Sequence, residues 1–496
     1  MKKSKNKKNE KLKVLFVSPE VIPFAKTGGL ADVSGTLPIA LKKLGVDVRI
    51  VLPFYRMAHN REIVFHTLFQ NLEVPLGRDR LKANIVETRT GDRIPVYMID
   101  REDLYDRPNL YGTALGDYYD NLERFAFFSH AALLLSEVIS FSPDVIHCHD
   151  WQTGLVPALL QGSYRNNRML SGTSTVFTVH NLGYQGNFPA DKMPLTGLSY
   201  EEFFHVEGLE FWGKISLLKA GIVYADAVTT VSPTYAKEIQ TREYGMSMEG
   251  ILSRRRAVLH GILNGVDYSL WDPAKDPHIA ENYSPEDMAG KKACKAGLID
   301  EMALDSSLMN RPLGGIISRL DSQKGLDLVI DILDKMLSLD VGLVVLGSGD
   351  EFMQAALQEA ARLHKGRIAL FLGFDDPLAH RILSGADMLL IPSRYEPCGL
   401  TQMYALKYGT VPLVRSTGGL ADTVKHFDMK TGRGNGFTFG PYKPRAFLDA
   451  IREATGIYDK KHAVWNRIVA NGMQEDFSWE RSAKNYKKLY KNILKE

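Results

Sequence analysis

The chain has 496 residues, of which 45% are hydrophobic and 24% are charged, a composition typical of soluble globular proteins. Because this length exceeds one hydrophobic core, we expect two large domains or three small ones. The formal net charge of +3 comes from residues 1–13, which hold seven lysines and one glutamate, and the remainder is mildly acidic. This distribution disfavours a nucleic-acid-binding protein, which needs basic charge clustered on its folded surface.

The lysine-rich start of the chain, residues 1–12, is expected to be a disordered leader. The apolar run that follows it has four residues, against roughly 7–15 for the core of a secretory signal. No run approaches the ~18 apolar residues of a membrane span. The three cysteines, Cys148, Cys294 and Cys398, are scattered and odd in number, which favours a reducing compartment. We therefore expect a cytoplasmic protein without a membrane partner.

The first predicted βαβ unit has strands at residues 14–17 and 46–52 and a helix between them that opens on Gly28 and Gly29. The unit lacks the GxGxxG pattern after its first strand, which disfavours a nicotinamide-dependent enzyme. Lys26 precedes the glycine pair. A lysine beside free N–H groups at a helix N-terminus can hold phosphate oxygens.

Polar side chains follow two further predicted strands. The strand at residues 144–148 leads into His149 and Asp150, and the strand at residues 175–180 ends at His180. Ligands of open α/β sheets bind at the carboxyl ends of the strands, so these groups could hydrogen-bond a hydroxylated ligand. A zinc site in this region is disfavoured, because neighbouring strand residues point to opposite faces and metal ligands are usually separated by spacers.

The second half follows a polar, proline-containing segment at about residues 268–310, which we expect to separate the halves. A strand is predicted at residues 312–318, followed by Arg319 and Lys324. Two cations at the carboxyl end of a first strand lie where a diphosphate would bind. Nowhere in the sequence are two aspartates separated by one residue, so the sequence offers no Asp-x-Asp pair to hold a divalent ion against a diphosphate.

The most informative stretch begins with the apolar run at residues 388–391, which predicts a short buried strand that ends at Pro392. A polar loop with Glu396, Cys398 and Gly399 follows, and then a helix from Thr401. A similar eight-residue sequence occurs twice in the chain, as KTGGLADV from Lys26 and as STGGLADT from Ser416. This repeated sequence predicts two Rossmann-like halves that each place a glycine pair at a helix N-terminus.

These motifs together resemble the bacterial glycogen synthases and the related plant starch synthases. The similarity runs from about Lys13 to the end of the chain and includes residues 477–479. In chain order the motifs are Lys26–Leu30, His149–Trp151, His180–Asn181, Ser318–Leu320, Gln323–Leu326, Pro392–Gln402 and Ser416–Leu420.

The resemblance implies an α/β protein of the GT-B fold, with two Rossmann-like doubly wound domains facing an interdomain cleft. It implies an N-terminal domain on the acceptor side, residues 13–265, and a C-terminal domain on the nucleotide-sugar side, residues 266–476. A C-terminal helix, residues 477–496, is expected to return to the N-terminal domain. The implied reaction transfers glucose from ADP-glucose to the non-reducing end of an α-1,4-glucan, with retention of configuration and without a metal or cofactor.

The resemblance also assigns roles to residues. Arg319 and Lys324 would stabilise the departing diphosphate, Glu396 would lie by the glucosyl unit, His180 would contact the sugar, and Asp150 would lie near the acceptor. The implied donor-binding residues are Lys26, Gly28, Gly29, Phe374, Cys398, Gly399, Leu400 and Thr401. Two positions depart from the family pattern: Phe374 stands where a tyrosine is usual against the nucleobase, and residues 107–111 lack a glycine and a second proline.

Other functions remain open from the residues alone. A different retaining GT-B transferase, of the sucrose or trehalose type, would use another nucleotide sugar, and the KTGGL sequence argues against it. A catalytically silent glucan-binding relative would be free to lose the polar motif residues, all of which are present.

Overall fold

The computed structural model describes residues 11–59, 63–113 and 115–495. Residues 1–10 of the predicted leader lie outside this set. The chain divides into two compact units. The N-terminal unit takes in the described residues of Met1–Val231, Ala236–Gly265 and Trp479–Glu496, and the C-terminal unit comprises Ser232–Tyr235 and Val266–Ser478.

The N-terminal unit is built on one nine-stranded sheet. Its central strands are short, mostly apolar and largely buried on both faces, the pattern of a parallel sheet covered by helices. Six of its eight strand pairs are parallel. In spatial order the strands are Leu259–Gly261, Ala227–Thr230, Ser174–Val179, Val145–His149, Lys13–Val17, Asp47–Pro53, Pro95–Asp100, Asp79–Arg89 and His66–Leu76.

The sequence does not predict the antiparallel edge of this sheet. His66–Leu76 and Asp79–Arg89 form a hairpin that continues antiparallel onto Pro95–Asp100. Most residues of the outer strand are exposed, so it lacks the apolar alternation that would reveal it. The turn is made by Gly77, whose φ of +63° favours glycine.

The N-terminal unit contains a largely buried helix and also the last helix of the described chain. The Asn121–Val138 helix is buried over most of its surface. Trp479–Ile493, from the end of the chain, places Trp479 and Tyr486 in one hydrophobic cluster with Val33 and Leu37 of the first helix. The other helices of this unit are Gly29–Lys43, Arg56–His59, Glu102–Tyr105, Leu155–Gln161, Tyr200–Phe203, Leu217–Tyr224 and Glu249–Arg254.

The C-terminal unit contains a six-stranded sheet in which every pair is parallel. In spatial order its strands are Ile368–Leu372, Gly342–Gly347, Leu313–Ile317, Met388–Ile391, Val411–Arg415 and Phe437–Phe439. The order reverses direction between Leu313–Ile317 and Met388–Ile391, which lie side by side. Ligands of doubly wound sheets bind at this kind of switch point.

Residues 268–310, whose polar composition suggests a segment between the halves, belong to the C-terminal unit. The segment contains the helix Ala289–Glu301, and Leu298 packs in the core. Asp276 is buried and accepts hydrogen bonds from His380 Nδ1 at 2.7 Å and from the Tyr408 hydroxyl at 2.5 Å. The segment is therefore polar in composition, and buried hydrogen bonds hold it in place.

The helix Pro233–Glu238 contains residues of both units. Seven further helices of the described chain belong to the C-terminal unit. They are Leu326–Leu337, Glu351–Leu363, Asp376–Gly385, Thr401–Lys407, Gly418–Thr423, Pro444–Lys460 and His462–Met473. In the part of the chain that the structure describes, no helix is long and apolar enough to cross a membrane.

Candidate active site

Glu396 is the centre of the polar group in the C-terminal unit. It lies in the loop after the Met388–Ile391 strand and is only 7% exposed. Its Oε2 accepts a hydrogen bond from Lys324 Nζ at 2.6 Å and another from Ser393 Oγ at 3.0 Å. A buried carboxylate is stable when it is paired in this way. The structure therefore brings two of the predicted site residues into direct contact.

Lys324 is held by the loop that follows the adjacent Leu313–Ile317 strand. Asp321 Oδ1 accepts from the Lys324 backbone N–H at 3.0 Å and caps the turn Ser322–Lys324. Gly325 follows with φ of +75°, and a Cβ at this position would collide with the Pro392 carbonyl oxygen. Only glycine allows the two loops to approach so closely, and that approach sets the Lys324–Glu396 contact.

Arg319 lies in the same loop but does not share this contact. Its side chain is 52% exposed and forms an ion pair with Asp321 Oδ2 at 2.9 Å. Its Nη2 also donates to Gln323 Oε1 at 3.0 Å. The two predicted diphosphate cations therefore differ in setting: Lys324 is paired with the buried Glu396, whereas Arg319 is held at the surface by its own loop.

The second glycine pair, Gly418 and Gly419, packs against the Glu396 loop and supports it. The Gly419 backbone N–H donates to the Glu396 carbonyl oxygen at 3.1 Å. A Cβ at Gly418, where φ is +44°, would overlap the same carbonyl, and one at Gly419 would overlap that of Cys398. The two TGGLAD stretches thus begin their helices as predicted, at Gly29 and Gly418, and the second also supports the loop.

The other predicted donor-binding residues of this unit lie at strand ends. Cys398 is 5% exposed, Gly399 has φ of +70°, and Leu400 precedes the helix that begins at Thr401. Phe374 follows the Ile368–Leu372 strand and is 83% exposed, so its aromatic face is open.

In the N-terminal unit, part of the KTGGL turn is occupied by a carboxylate that the sequence analysis missed. Glu20 accepts hydrogen bonds from the Thr27 backbone N–H at 2.6 Å and hydroxyl at 2.6 Å, and from the Gly28 N–H at 3.3 Å. Lys26 Nζ pairs with Asp32 Oδ1 at 2.8 Å. Glu20 follows the first strand as Glu396 follows its own strand, and that position is the signal that could have identified it.

Glu20 also connects the turn to the loop that departs from the family pattern. The Tyr111 hydroxyl donates to Glu20 Oε1 at 2.8 Å. Burial raises the pKa of Tyr111 well above its usual value, and the Glu20 charge raises it further. Tyr111 therefore stays protonated and remains a hydrogen-bond donor to Glu20.

Asp150 and His180 lie together at the ends of the adjacent strands Val145–His149 and Ser174–Val179. Asp150 Oδ1 accepts from the His180 backbone N–H at 2.7 Å. Burial raises the pKa of Asp150 to about 7, and the Glu20 charge adds to the rise while the His180 N–H opposes it. Asp150 has φ of +55° and ψ of −179°, a strained conformation that costs about 1–3 kcal/mol and is typical of functional sites.

The histidines around Asp150 are neutral and hydrogen-bonded to protein groups. Burial lowers the pKa of His180 to about 3 and that of His149 well below its usual value. His149 Nδ1 lies 2.9 Å from His180 Nε2, and His147 bonds to Thr178 Oγ1 at 2.6 Å and to the Tyr490 hydroxyl at 2.7 Å. Across residues 11–59, 63–113 and 115–495, no three His, Cys, Asp or Glu side chains are grouped to hold a metal ion.

Asn264 is another polar group that the sequence analysis did not single out as a site residue. It follows the Leu259–Gly261 strand and is 5% exposed, and its Oδ1 is buried without a hydrogen-bond partner in the described chain. Its place after a strand was visible in the sequence, but its unpaired oxygen was not.

Models of two known protein families match the chain, one in each unit. The model of the starch synthase catalytic domain matches residues 13–254, and the model of glycosyl transferases group 1 matches residues 307–467. Together with two α/β units built on parallel sheets, these matches define a glycosyltransferase of the GT-B fold.

Individual relatives narrow the class. The chain is 46% identical to a glycogen synthase of Desulforudis audaxviator, over 98% of this chain and 97% of that protein. It is 47% identical to a glycogen synthase of Anaeromyxobacter dehalogenans, over 97% of this chain and 100% of that protein. The chain therefore belongs to the family of glycogen synthases and starch synthases.

Solved structures support the same family assignment. The catalytic domain of starch synthase IV from Arabidopsis thaliana, bound to ADP and acarbose, superposes with a TM-score of 0.90 at 34% identity and covers 98% of this chain and 100% of that one. A sucrose-phosphate synthase from Thermosynechococcus elongatus superposes with a TM-score of 0.60 at 16% identity, which is a likeness of fold alone.

Proposed function

We propose that this glycosyltransferase transfers glucose from ADP-glucose to the non-reducing end of an α-1,4-glucan, with retention of configuration and without a metal ion. The observation that carries the proposal is the paired cation and carboxylate, Lys324 and Glu396, at the switch point of the C-terminal sheet. The relatives named glycogen synthase support the acceptor, and the ADP and acarbose bound to the Arabidopsis relative support an adenine nucleotide and a saccharide.

The chemistry suits this pair. Cleavage of the bond to the diphosphate builds positive charge on the sugar ring and negative charge on the leaving group. A fixed ammonium and a fixed carboxylate at adjacent positions stabilise both charges in the transition state. In this proposal Lys324 and Arg319 act on the diphosphate, and Glu396 acts beside the glucosyl unit.

The remaining residues of the C-terminal unit take the rest of the donor. Phe374 presents an open aromatic face for the nucleobase, since stacking requires only the ring. Cys398, Gly399, Leu400 and Thr401 form the turn into a helix, and we assign them to the donor as the resemblance implies.

The N-terminal unit is assigned to the sugar and the acceptor. Lys26 and the turn at Gly28 and Gly29 are assigned to the donor phosphates, His180 to the sugar and Asp150 to the acceptor side. The occupation of the Thr27 and Gly28 N–H groups by Glu20 leaves the Lys26 ammonium, which is exposed, as the stronger candidate for a phosphate contact. A cytoplasmic location is part of the same proposal.

The test incubates purified protein with glycogen and either ADP-glucose or UDP-glucose and measures nucleotide release. ADP release with ADP-glucose, dependent on glycogen, supports the proposal, and the anomeric configuration of the new bond is read by α- or β-specific glucosidases. Faster turnover of UDP-glucose would replace the proposed donor. Absence of transfer from both donors would instead favour the silent glucan-binding alternative.

A further inference from the structure

Two buried histidines in the N-terminal unit share one hydrogen bond. His149 Nδ1 lies 2.9 Å from His180 Nε2, and the two residues are 0% and 9% exposed. His149 occupies the last position of the Val145–His149 strand, and its ring packs against the rings of Phe16 and His147, with centroid distances of 4.2 Å in both cases. These contacts give the His149 ring a single orientation.

Of the four ring nitrogens of His149 and His180, one is available to bind a ligand. Two are used in the mutual bond. His149 Nε2 is buried without a partner among the residues that the structure describes. His180 Nδ1 has no hydrogen bond within those residues and is not a buried orphan, so it alone is open to a substrate group.

The shared bond also determines the protonation pattern. Burial lowers the pKa of both rings, so both are neutral near pH 7. A neutral imidazole has one N–H donor and one acceptor nitrogen. A hydrogen bond between two such rings holds one proton, so the tautomers of His149 and His180 are coupled. His149 Nε2 is buried without a partner in the described chain, and a buried N–H without an acceptor is rarer than a buried acceptor without a donor. His149 therefore carries its proton on Nδ1 and donates to His180 Nε2, which leaves the proton of His180 on Nδ1.

We propose that His149 is a positioning residue for the transfer reaction: its hydrogen bond holds the His180 ring in one orientation and one tautomer, so that His180 Nδ1 meets the sugar with a fixed hydrogen-bonding role. The inference rests on the proposed contact between His180 and the sugar. Asp150 holds the His180 backbone by accepting a hydrogen bond from the His180 N–H, and His149 holds the His180 ring. Asp150 and His149 therefore act on different parts of His180.

Three variants test the proposal by activity. His149→Phe keeps the ring stacking and removes the hydrogen bond, and kcat is expected to fall about tenfold, the worth of one hydrogen bond at the upper end of its usual range. His149→Asn places an amide near the Nδ1 position and is expected to restore most of kcat. His130→Phe is the matched control, since His130 is a buried histidine of the same unit that bonds to Tyr164 and Thr196, and its kcat is expected to be unchanged.

A double-mutant cycle separates positioning from a general structural effect. In the His180→Ala background, His149→Phe is expected to have no further effect on kcat, because its only route to the reaction is removed. An equal fall in both backgrounds would overturn the proposal, as would an unchanged kcat in His149→Phe. Wild-type kcat in His180→Ala would refute the role of His180 in the proposed function.

The tautomer supplies a readout that does not depend on activity. In protein labelled with ¹³C,¹⁵N-histidine, with His180 assigned from the spectrum of His180→Ala, one tautomer of His180 is expected between about pH 6 and about pH 8. His149→Phe is expected to give a mixture of tautomers, and His149→Asn a single one. A tautomer mixture in the wild type, or a single unchanged tautomer in His149→Phe, would overturn the inference even if the enzyme is active.

Discussion

Lys324 Nζ donates to Glu396 Oε2 at 2.6 Å, although the two residues are 72 positions apart in the sequence. They meet because the strands before them, Leu313–Ile317 and Met388–Ile391, are parallel neighbours at the switch point of the sheet. The resemblance assigns the lysine to the diphosphate and the carboxylate to the sugar. Their contact means that each group holds the other in place before any substrate binds, so a substitution at one is expected to alter the other.

Glu396→Gln is expected to lower kcat by about 10²–10³ and to change the KM for the donor little, because the carboxylate acts on charge that exists mainly in the transition state. Glutamine keeps the size of the side chain and can still accept from Lys324. Initial rates of nucleotide release at varied donor concentration give both constants. Glu453→Gln, at an exposed glutamate of the same unit, is the control. A Glu396→Gln rate within a few-fold of wild type would remove Glu396 from the mechanism.

Lys324→Ala is expected to cost about 2–4 kcal/mol in kcat/KM, the usual scale for one fixed electrostatic group. Arg319→Ala is expected to cost less, since its side chain is half exposed and already paired with Asp321. The double variant should be less impaired than the sum of the two effects predicts, because both cations are assigned to one anion. Lys460→Ala, at an exposed helix end, serves as the control. Full activity in Lys324→Ala would refute the assigned role of that lysine.

Chelation by EDTA is expected to leave the wild-type rate nearly unchanged. The sequence has no Asp-x-Asp pair, and Lys324 and Arg319 are placed to neutralise the leaving group instead. The measurement compares initial rates with EDTA and with added magnesium. Loss of activity in EDTA that magnesium restores would contradict the metal-independent mechanism.

Much of the fold could be predicted because local patterns determine it. The strand Met388–Ile391 has the predicted bounds, since four apolar residues end at a proline, and the helix after it begins at the predicted Thr401. The pairing of Lys324 with Glu396 could not be predicted. It depends on which loops become neighbours in the sheet and on the glycine at Gly325 that lets them approach, and neither is a local property.

Two other features were hidden for different reasons. The polar composition of residues 268–310 suggests a segment between the halves, but buried hydrogen bonds such as that of His380 to Asp276 hold them in the C-terminal unit. Glu20 looks in sequence like a surface carboxylate. Only the structure reveals that it accepts from the backbone N–H groups of Thr27 and Gly28, where the sequence analysis expected a phosphate.

Gly28 offers a test of the KTGGL turn. Its φ of −157° is extended backbone that any residue adopts, and a Cβ there would meet nothing within 4 Å. Gly28→Ala should therefore fold normally and could gain a few tenths of a kcal/mol from the reduced freedom of the unfolded chain. If a donor phosphate approaches this backbone, the added methyl group should raise the donor KM about tenfold, or ~1.4 kcal/mol.

The matched control for that experiment is Gly91→Ala, which also places a Cβ in open space in the same unit. Both variants should keep the wild-type melting temperature, and only Gly28→Ala should change the donor KM. Wild-type kinetics in Gly28→Ala would mean that no donor phosphate approaches the Gly28 backbone.

Asp150→Asn is expected to stabilise the protein more as the pH rises. Burial raises the folded-state pKa of Asp150 to about 7, above its ordinary value of 3.8. Between these values the folded state binds a proton that the unfolded state has released, so the contribution of Asp150 to stability is full below about pH 4 and is lost as the pH rises through about 7. Asparagine stays neutral, keeps an oxygen for the His180 N–H and retains the same backbone geometry.

The advantage of Asp150→Asn over wild type should therefore grow between about pH 5 and about pH 8 and then level off. A shift of about three pKa units corresponds to at most ~4 kcal/mol. Melting temperatures of both proteins at these two pH values measure the effect, and Asp449→Asn, at an exposed aspartate, is the control. An advantage independent of pH would mean that Asp150 is charged in the folded protein throughout this range. Since Asp150 is assigned to the acceptor side, the same variant should lose activity while it gains stability, the opposition expected where a buried carboxylate is retained for function.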